Sequence, residues 1–236
     1  MCVPVQWVAM PFDPDRVTTL TFDSYSTIVD VEAAETALAD RVSDPEPVSR
    51  LWRSRSLAYT FLANQIDAYK PFYELNRDAL QFALDAHGVD VSTEERDEIL
   101  AVYHELDVFD DVREGMNRLY DAGYDLYVVS NGNPEMLESM VEHAGIGGLV
   151  ADTVSADEVQ AFKPAAELYH HAADRIGTDV EELAHVTAGY FDVYGAMHAG
   201  MQAVWVNRDG GPWDSFAGEP DLTIASFHDL RDELVE

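Results

Sequence analysis

One cysteine and fourteen basic residues are all that this chain of 236 offers of either kind. The single thiol, Cys2, cannot close an internal disulfide, which separates the chain from small secreted scaffolds and fits a cytoplasmic location. Only two of the basic residues are lysines, Lys70 and Lys163. Against the fourteen stand 45 acidic residues, for a net charge of −31. So acidic a surface is repelled by phosphate, so neither nucleic acid nor an anionic membrane is expected as a partner. No apolar run reaches membrane-spanning length. Residues 1–10 lack the basic stretch and long apolar core of a secretory signal. They read as a loose tail before the first strand, with Met10 as an alternative start. Repeats and low-complexity segments are absent.

What is present argues for a folded enzyme-sized unit. Ten Phe, eleven Tyr and four Trp exclude an acidic disordered chain, which would be poor in aromatics. The acid is spread along the whole sequence instead of gathering in a tail. That distribution fits adaptation to high salt, where screening relieves self-repulsion, and points to a halophile's cytoplasm. The length allows one sizeable core with a smaller appended unit.

Residues 17–22 are rich in β-formers and end at Asp23, after which Ser24, Ser26 and Thr27 supply turn residues. An aspartate there either caps the next element or stands at the carboxyl end of a strand, where α/β sheets bind ligands. Next comes a helical stretch. Residues 32–42 favour helix, residues 43–47 with two prolines read as a break, and residues 49–69 carry Leu51, Ala58, Leu62 and Ile66 at helical spacing. Residues 73–87 and 93–103 are two more helices, the second opened by Ser92 or Thr93 with Glu95 after it. From residue 109 onward strands and helices alternate. Helices at 112–122, 134–144, 164–176 and 192–199 are each closed by a glycine. Strands lie at 124–129, 153–154, 185–187, 203–206 and 222–225. The expected fold is α/β: a parallel sheet core over residues 17–29 and 109–236, with residues 30–108 inserted as a helical domain.

Polar residues just past parallel strands should converge. Four groups qualify: Asp23 and Thr27; Ser130, Asn131 and Gly132; Lys163 and Pro164, with Tyr169 after them; and Thr187 with Asp192. Each alone has an ordinary reading as a turn, a helix entry or, for Asp192, a helix N-cap. Their order and placement together are far less ordinary. The set Phe22-Asp23-x-Tyr25-x-Thr27, Ser130-Asn131-Gly132, Lys163-Pro164 and Asp192 resembles the four motifs of the haloacid dehalogenase superfamily, whose core is a Rossmann-like parallel sheet. Most phosphatases of that superfamily carry a second aspartate two residues after the first and a paired acid before the last, and hold magnesium. Tyr25 and Ala188 stand at those places here. Both are typical of the L-2-haloacid dehalogenase (type II) branch, which the segment around Arg53 and the run from Trp205 to Arg208 also resemble.

The resemblance implies a hydrolase acting on carbon–halide bonds, with a 2-halocarboxylate as its small-molecule substrate and no metal or cofactor. Asp23 would attack the carbon bearing the halogen and form an ester. Lys163 would keep Asp23 ionised, and Thr27 would hold its other oxygen. Ser130 would bind the substrate carboxylate, with Tyr25 and Tyr169 also at the substrate. Arg53 and Asn131 would receive the halide, and Asp192 with Thr187 would place the hydrolytic water. A homodimer is implied by the resemblance alone. Departures are Ser26 in place of a glycine, Phe191 in place of a tryptophan, and Gly189 in place of the asparagine that places the water. A protein of this fold that binds a small carboxylate without turnover, and a magnesium phosphatase, are the alternative readings.

Overall fold

The computed structural model describes residues 11–214 and 216–234. The readings made for residues 1–10, including Cys2 and Met10, lie outside them. Six strands form one parallel sheet among the described residues: β1 (Thr19–Phe22), β2 (Asp125–Ser130), β3 (Val150–Ser155), β4 (Leu183–Thr187), β5 (Gln202–Val206) and β6 (Leu222–Ile224). Their order is β3-β2-β1-β4-β5-β6. The chain runs outward from β1 to β3, then crosses to β4 and runs outward the other way. Between β1 and β4 the direction of travel reverses, which opens a crevice beyond their carboxyl ends. Every residue of β1 and of β4 is buried, as expected of central strands covered on both faces.

The inserted stretch holds four α-helices: α1 (Ala34–Leu38), α2 (Pro45–Ile66), α3 (Phe72–Ala86) and α4 (Thr93–Leu100). No strand lies between residues 33 and 103. Where the chain leaves and re-enters the sheet, its two passes are clipped together. Asp30 N donates to Asp107 O at 2.7 Å, and Phe109 N to Ile28 O at 3.2 Å. The expected break at residues 43–47 is present at Ser43 and Asp44, but its prolines already belong to α2. Pro45 and Pro47 fall in its first turn, where backbone N–H groups have no intrahelical partner, so the missing donors cost nothing. The Ser92–Glu95 capping box of α4 is formed in both directions. Trp52 of α2 is fully buried, and its indole N–H donates to Asn76 O of α3 at 2.9 Å.

The remaining helices are α5 (Val112–Asp121), α6 (Pro134–Ala144), α7 (Ala166–Ile176), α8 (Tyr190–Ala199) and α9 (Phe227–Leu234). Two starts differ from expectation. α7 begins at Ala166, not at residue 164, because the backbone N–H of Lys163 is engaged by Asn131 Oδ1 at 2.8 Å and holds the approach as a loop. α8 begins at Tyr190 with Gly189 as N-cap, which puts Asp192 inside the first turn. The sequence pattern did not reveal α9, a short helix whose first turn is fixed by Asp229 accepting from Ala225 N and Ser226 N. Its Phe227 packs against Phe22 at 5.2 Å between ring centroids.

Candidate active site

Asp23 extends β1 by one rung, its N–H donating to Val186 O of β4 at 3.0 Å. The chain then turns sharply, with Ser24 O accepting from Ile28 N at 2.8 Å and Val29 N at 3.1 Å. Asp23 caps no helix; that task belongs to Asp30, which accepts from Glu32 N at 2.8 Å. The turn forces Ser26 into the left-handed region at φ 68°, where a glycine would sit without steric cost. Thr27 locks the loop in place. Its hydroxyl donates to Asp23 Oδ2 at 3.0 Å and accepts from Ala188 N at 3.0 Å. Beneath the loop, Arg208 donates to Thr27 O at 3.0 Å and pairs with both oxygens of Asp111 at 3.1 Å.

Two carboxylates share one lysine here. Lys163 Nζ donates to Asp23 Oδ1 at 2.9 Å and to Asp192 Oδ2 at 2.8 Å, and the lysine side chain is 1% exposed. Asp192 also accepts from Tyr169 Oη through Oδ1 at 2.6 Å, and its Oδ2 lies 3.0 Å from His185 Nε2. The Asp192 side chain is thus the centre of a buried network and not an N-cap, which corrects the ordinary reading of that residue. Burial works against ionising either acid. For Asp192 the neighbouring His185 and Lys163 outweigh burial and hold the carboxyl well below the usual range. For Asp23 burial prevails: Lys163 pulls its pKa down, Asp192's charge pushes it up, and the net direction is upward. Lys163 does favour the ionised nucleophile as expected, but it does not overcome burial. The lysine itself, although burial opposes its charge, is raised by Asp192 and Asp23. Burial and Asp192 push the Tyr169 phenol well above its ordinary value, so it stays a donor.

A cavity of about 310 Å³ opens above Asp23, which is 15% exposed. Asp23, Tyr25, Arg53, Ser130, Asn131 and Lys163 all line it, so six of the ten expected site residues reach one space. Leu57 of α2, Phe72 of α3, Tyr103 and Phe191 supply apolar wall. Phe191 of α8 meets Phe61 of α2 edge-on at 5.6 Å, and Asn64 of α2 exchanges hydrogen bonds with the backbone of Phe162, next to Lys163. The helical stretch is thereby fastened over the strand ends. Thr27 sits behind Asp23. Thr187, Tyr169 and Asp192 are fully buried one layer further back and do not line the cavity. Thr187 Oγ1 is occupied by Gly189 N at 3.0 Å.

Two donors at this site have no protein partner: Arg53 Nε and Tyr25 Oη. Arg53 Nη1 lies 3.6 Å from Glu32 Oε1. A buried N–H or O–H without a partner is uncommon and suits a ligand that accepts hydrogen bonds. Ser130 Oγ accepts from Gly132 N at 3.0 Å and lies 2.6 Å from Ser24 Oγ. With Ser24 as donor, the Ser130 proton is free for an acceptor in the cavity. Among the described residues no group of three or more His, Cys, Asp or Glu side chains is placed to hold a metal ion. His185 is the member of the network that sequence reasoning missed. Its signal was available: a lone imidazole among apolar neighbours in Leu183-Ala184-His185-Val186.

The sequence model of haloacid dehalogenase-like hydrolases matches residues 17–200. (S)-2-haloacid dehalogenase 4A of Burkholderia cepacia is 33% identical over 199 residues, covering 84% of this chain and 86% of that protein. (S)-2-haloacid dehalogenase 1 of Pseudomonas sp. (strain CBS-3) is 32% identical over 205 residues, covering 86% and 90%. A crystal structure of a dehalogenase, 31% identical, superposes with a TM-score of 0.89 over 94% of this chain and 99% of that one.

Proposed function

Because the chain belongs to the haloacid dehalogenase-like hydrolase family, we propose that it is a 2-haloacid dehalogenase acting on (S)-2-haloalkanoic acids through an ester on Asp23. The observation that carries this reading is the Asp23–Lys163–Asp192 arrangement beneath a cavity whose lining carries an unpartnered guanidinium N–H and, among the described residues, no acid other than Asp23.

In the first step an oxygen of Asp23 attacks C2 of the substrate, a carbon–oxygen bond forms, and the halide leaves with the bonding pair. A carboxylate held partly out of water, with its pKa raised, is a stronger nucleophile than a solvated one. Arg53 Nε is free to stabilise the departing halide as its charge develops. The Asn131 carbonyl oxygen is taken by Lys163 N, which leaves its amide N–H groups for the same anion. With Ser24 donating to it, Ser130 offers its proton to the substrate carboxylate. In the second step water attacks the Asp23 side-chain carbonyl, the bond from that carbonyl carbon to the substrate oxygen breaks, one water proton goes to the departing hydroxy acid and the other to solvent, and the Asp23 carboxylate returns. Thr187 and Asp192 act on that water only indirectly, since neither reaches the cavity wall. Asp192 does so by holding Lys163.

Residues 30–108 act as the cap in this reading, over a core of residues 17–29 and 109–236. The acidic surface suits a cytoplasm at molar salt, and among the described residues no helix is long and apolar enough to cross a membrane. A homodimer would cover Leu62, Ile66 and Phe82, which are exposed on α2 and α3. Halide release from (S)-2-chloropropionate, measured in molar KCl with a chelator present, tests the activity; no halide above the uncatalysed rate would reject it. One observation favours a second reading. Gly189 places no side chain beside the ester, so a protein that forms the ester and releases it very slowly fits the same geometry. Intact-mass detection of a stable Asp23 adduct without steady turnover would select that reading.

A further inference from the structure

The proposed chemistry leaves one buried ionisable side chain without a task. His185 sits in the middle of β4 with no exposed surface. Thr21 faces it from β1, Tyr169 of α7 meets its ring edge-on at 5.7 Å, Asp192 comes from α8, and Lys163 comes from the loop before α7. Asp23 lies on the far side of Lys163, and the register partner on β5 is the apolar Ala203.

Its two nitrogens meet different chemistry. Nε2 lies 3.0 Å from Asp192 Oδ2 and 3.4 Å from Lys163 Nζ. An ionised carboxylate only accepts, so a contact of 3.0 Å requires the proton on Nε2. Nδ1 lies 2.8 Å from Thr21 Oγ1. A hydroxyl can donate to that nitrogen or accept from it. The Thr21 hydroxyl also has the Ala184 carbonyl at 3.5 Å as an outlet for its own proton. Whichever role Thr21 takes, the ring keeps its partner on Nδ1 while Nε2–H stays on Asp192. Asp23 and Asp192 bring two negative charges to the one positive charge of Lys163, so a further donor toward Asp192 relieves the shared ammonium.

We infer that His185 is a positioning residue for the Asp23 nucleophile: its Nε2–H engages the same Asp192 oxygen that Lys163 contacts, so that Asp192 claims less of the Lys163 ammonium and more of it is left for Asp23. The inference rests on the reading of Asp23 as nucleophile. His185 itself touches no substrate. Without it, Asp192 would draw more of the Lys163 ammonium, and Asp23 would protonate at a higher pH.

The decisive measurement is made on the intact wild-type protein with ¹⁵N-labelled histidine in molar KCl. The His185 resonances should show the proton held on Nε2 across the pH range in which the protein is active. A bare Nε2 with the proton fixed on Nδ1 would overturn the inference. This result does not depend on turnover, so it is separable from failure of the dehalogenase activity. The second arm is kinetic. His185→Phe removes the donor toward Asp192, and the acid limb of its kcat/KM profile should move up by about one pH unit, with KM little changed. His185→Gln keeps a donor toward Asp192 and should leave the limb near its wild-type position. An unmoved acid limb in folded His185→Phe would also overturn the inference. If His185→Phe fails to fold, the wild-type spectra decide.

Discussion

On the floor of the cavity, Lys163 lies 2.9 Å from Asp23 and 2.8 Å from Asp192, and Asp192 takes a further donor from Tyr169 at 2.6 Å. On the helical wall, Arg53 Nη1 lies 3.6 Å from Glu32 Oε1, and Nε is unpartnered. The floor is made of buried groups that satisfy one another. The wall carries a cation, 29% exposed, whose Nε the protein leaves without a partner. The contrast separates two tasks. A nucleophile must be held in one geometry before the substrate arrives. A receptor for a departing anion must keep its donors free until charge develops. Stability should therefore depend on the floor and only weakly on the wall, while activity depends on both.

The largest effect should come from the floor's reacting atom. Asp23→Asn removes the attacking carboxylate, and halide release should fall by ~10³-fold or more. Residual turnover near wild type would move the chemistry off the floor altogether. Next in size is the pair of cations. Lys163→Met leaves two buried carboxylates without their shared partner and should lower stability by about 3–5 kcal/mol in denaturant titrations, with activity lost. Arg53→Ala should cost ~10²-fold in kcat, yet shift stability by less than about 1 kcal/mol. Equal stability losses in the two variants would erase the distinction between floor and wall.

Gly189→Asn tests the second step at a place where floor meets wall. A Cβ there would sit 3.1 Å from the Phe191 ring, so the ring must yield slightly. With the amide present, breakdown of the Asp23 ester should speed up by roughly 10-fold in single-turnover mass spectrometry. No change would show that water is already placed by the backbone.

The opposed pKa directions of the two acids give a pH signature. Asp23 is raised, mainly by burial, so the nucleophile protonates while the pH is still above the usual carboxylate range. Asp192 is lowered by His185 and Lys163 against burial. Its contribution to stability is present above the usual carboxylate value and is lost only as pH falls through its depressed value. Protonating Asp23 does not destabilise the fold, because a raised pKa favours the protonated form in the native state. On acidification activity should disappear first and tryptophan fluorescence report unfolding only at lower pH. Coincident losses would mean that Asp23 and Asp192 titrate alike. The smallest expected effect is Ser26→Gly, which relieves the left-handed backbone and should raise stability by about 0.5–1 kcal/mol with kcat nearly unchanged.

Much of this site could be read from the linear chain because each candidate ends a recognisable local element. Asp23 comes after a run of β-formers, Ser130 and Asn131 after another, and Lys163 is one of two lysines. The Ser92–Glu95 capping box and the glycine-closed helices were legible for the same reason. Other features were not. Pro45 and Pro47 looked like an interruption because proline excludes helix interiors but not first turns. Asp192 had the spacing of a cap, and nothing in its neighbourhood showed that its oxygens were already claimed by Lys163, Tyr169 and His185.

By itself, then, the sequence determined the alternation of strands and helices, the inserted helical stretch and the chemical types at the strand ends. These depend on periodicity and on turn chemistry, which act over a few residues. The tertiary structure alone decided which charges share a partner, which acid is raised and which is lowered, and which side chains face the cavity instead of lying behind it. Asp23 and Lys163 are 140 residues apart in the chain and 2.9 Å apart in space. Coulomb interaction and desolvation depend on that spatial distance and on the surrounding dielectric, and neither is encoded in local pattern.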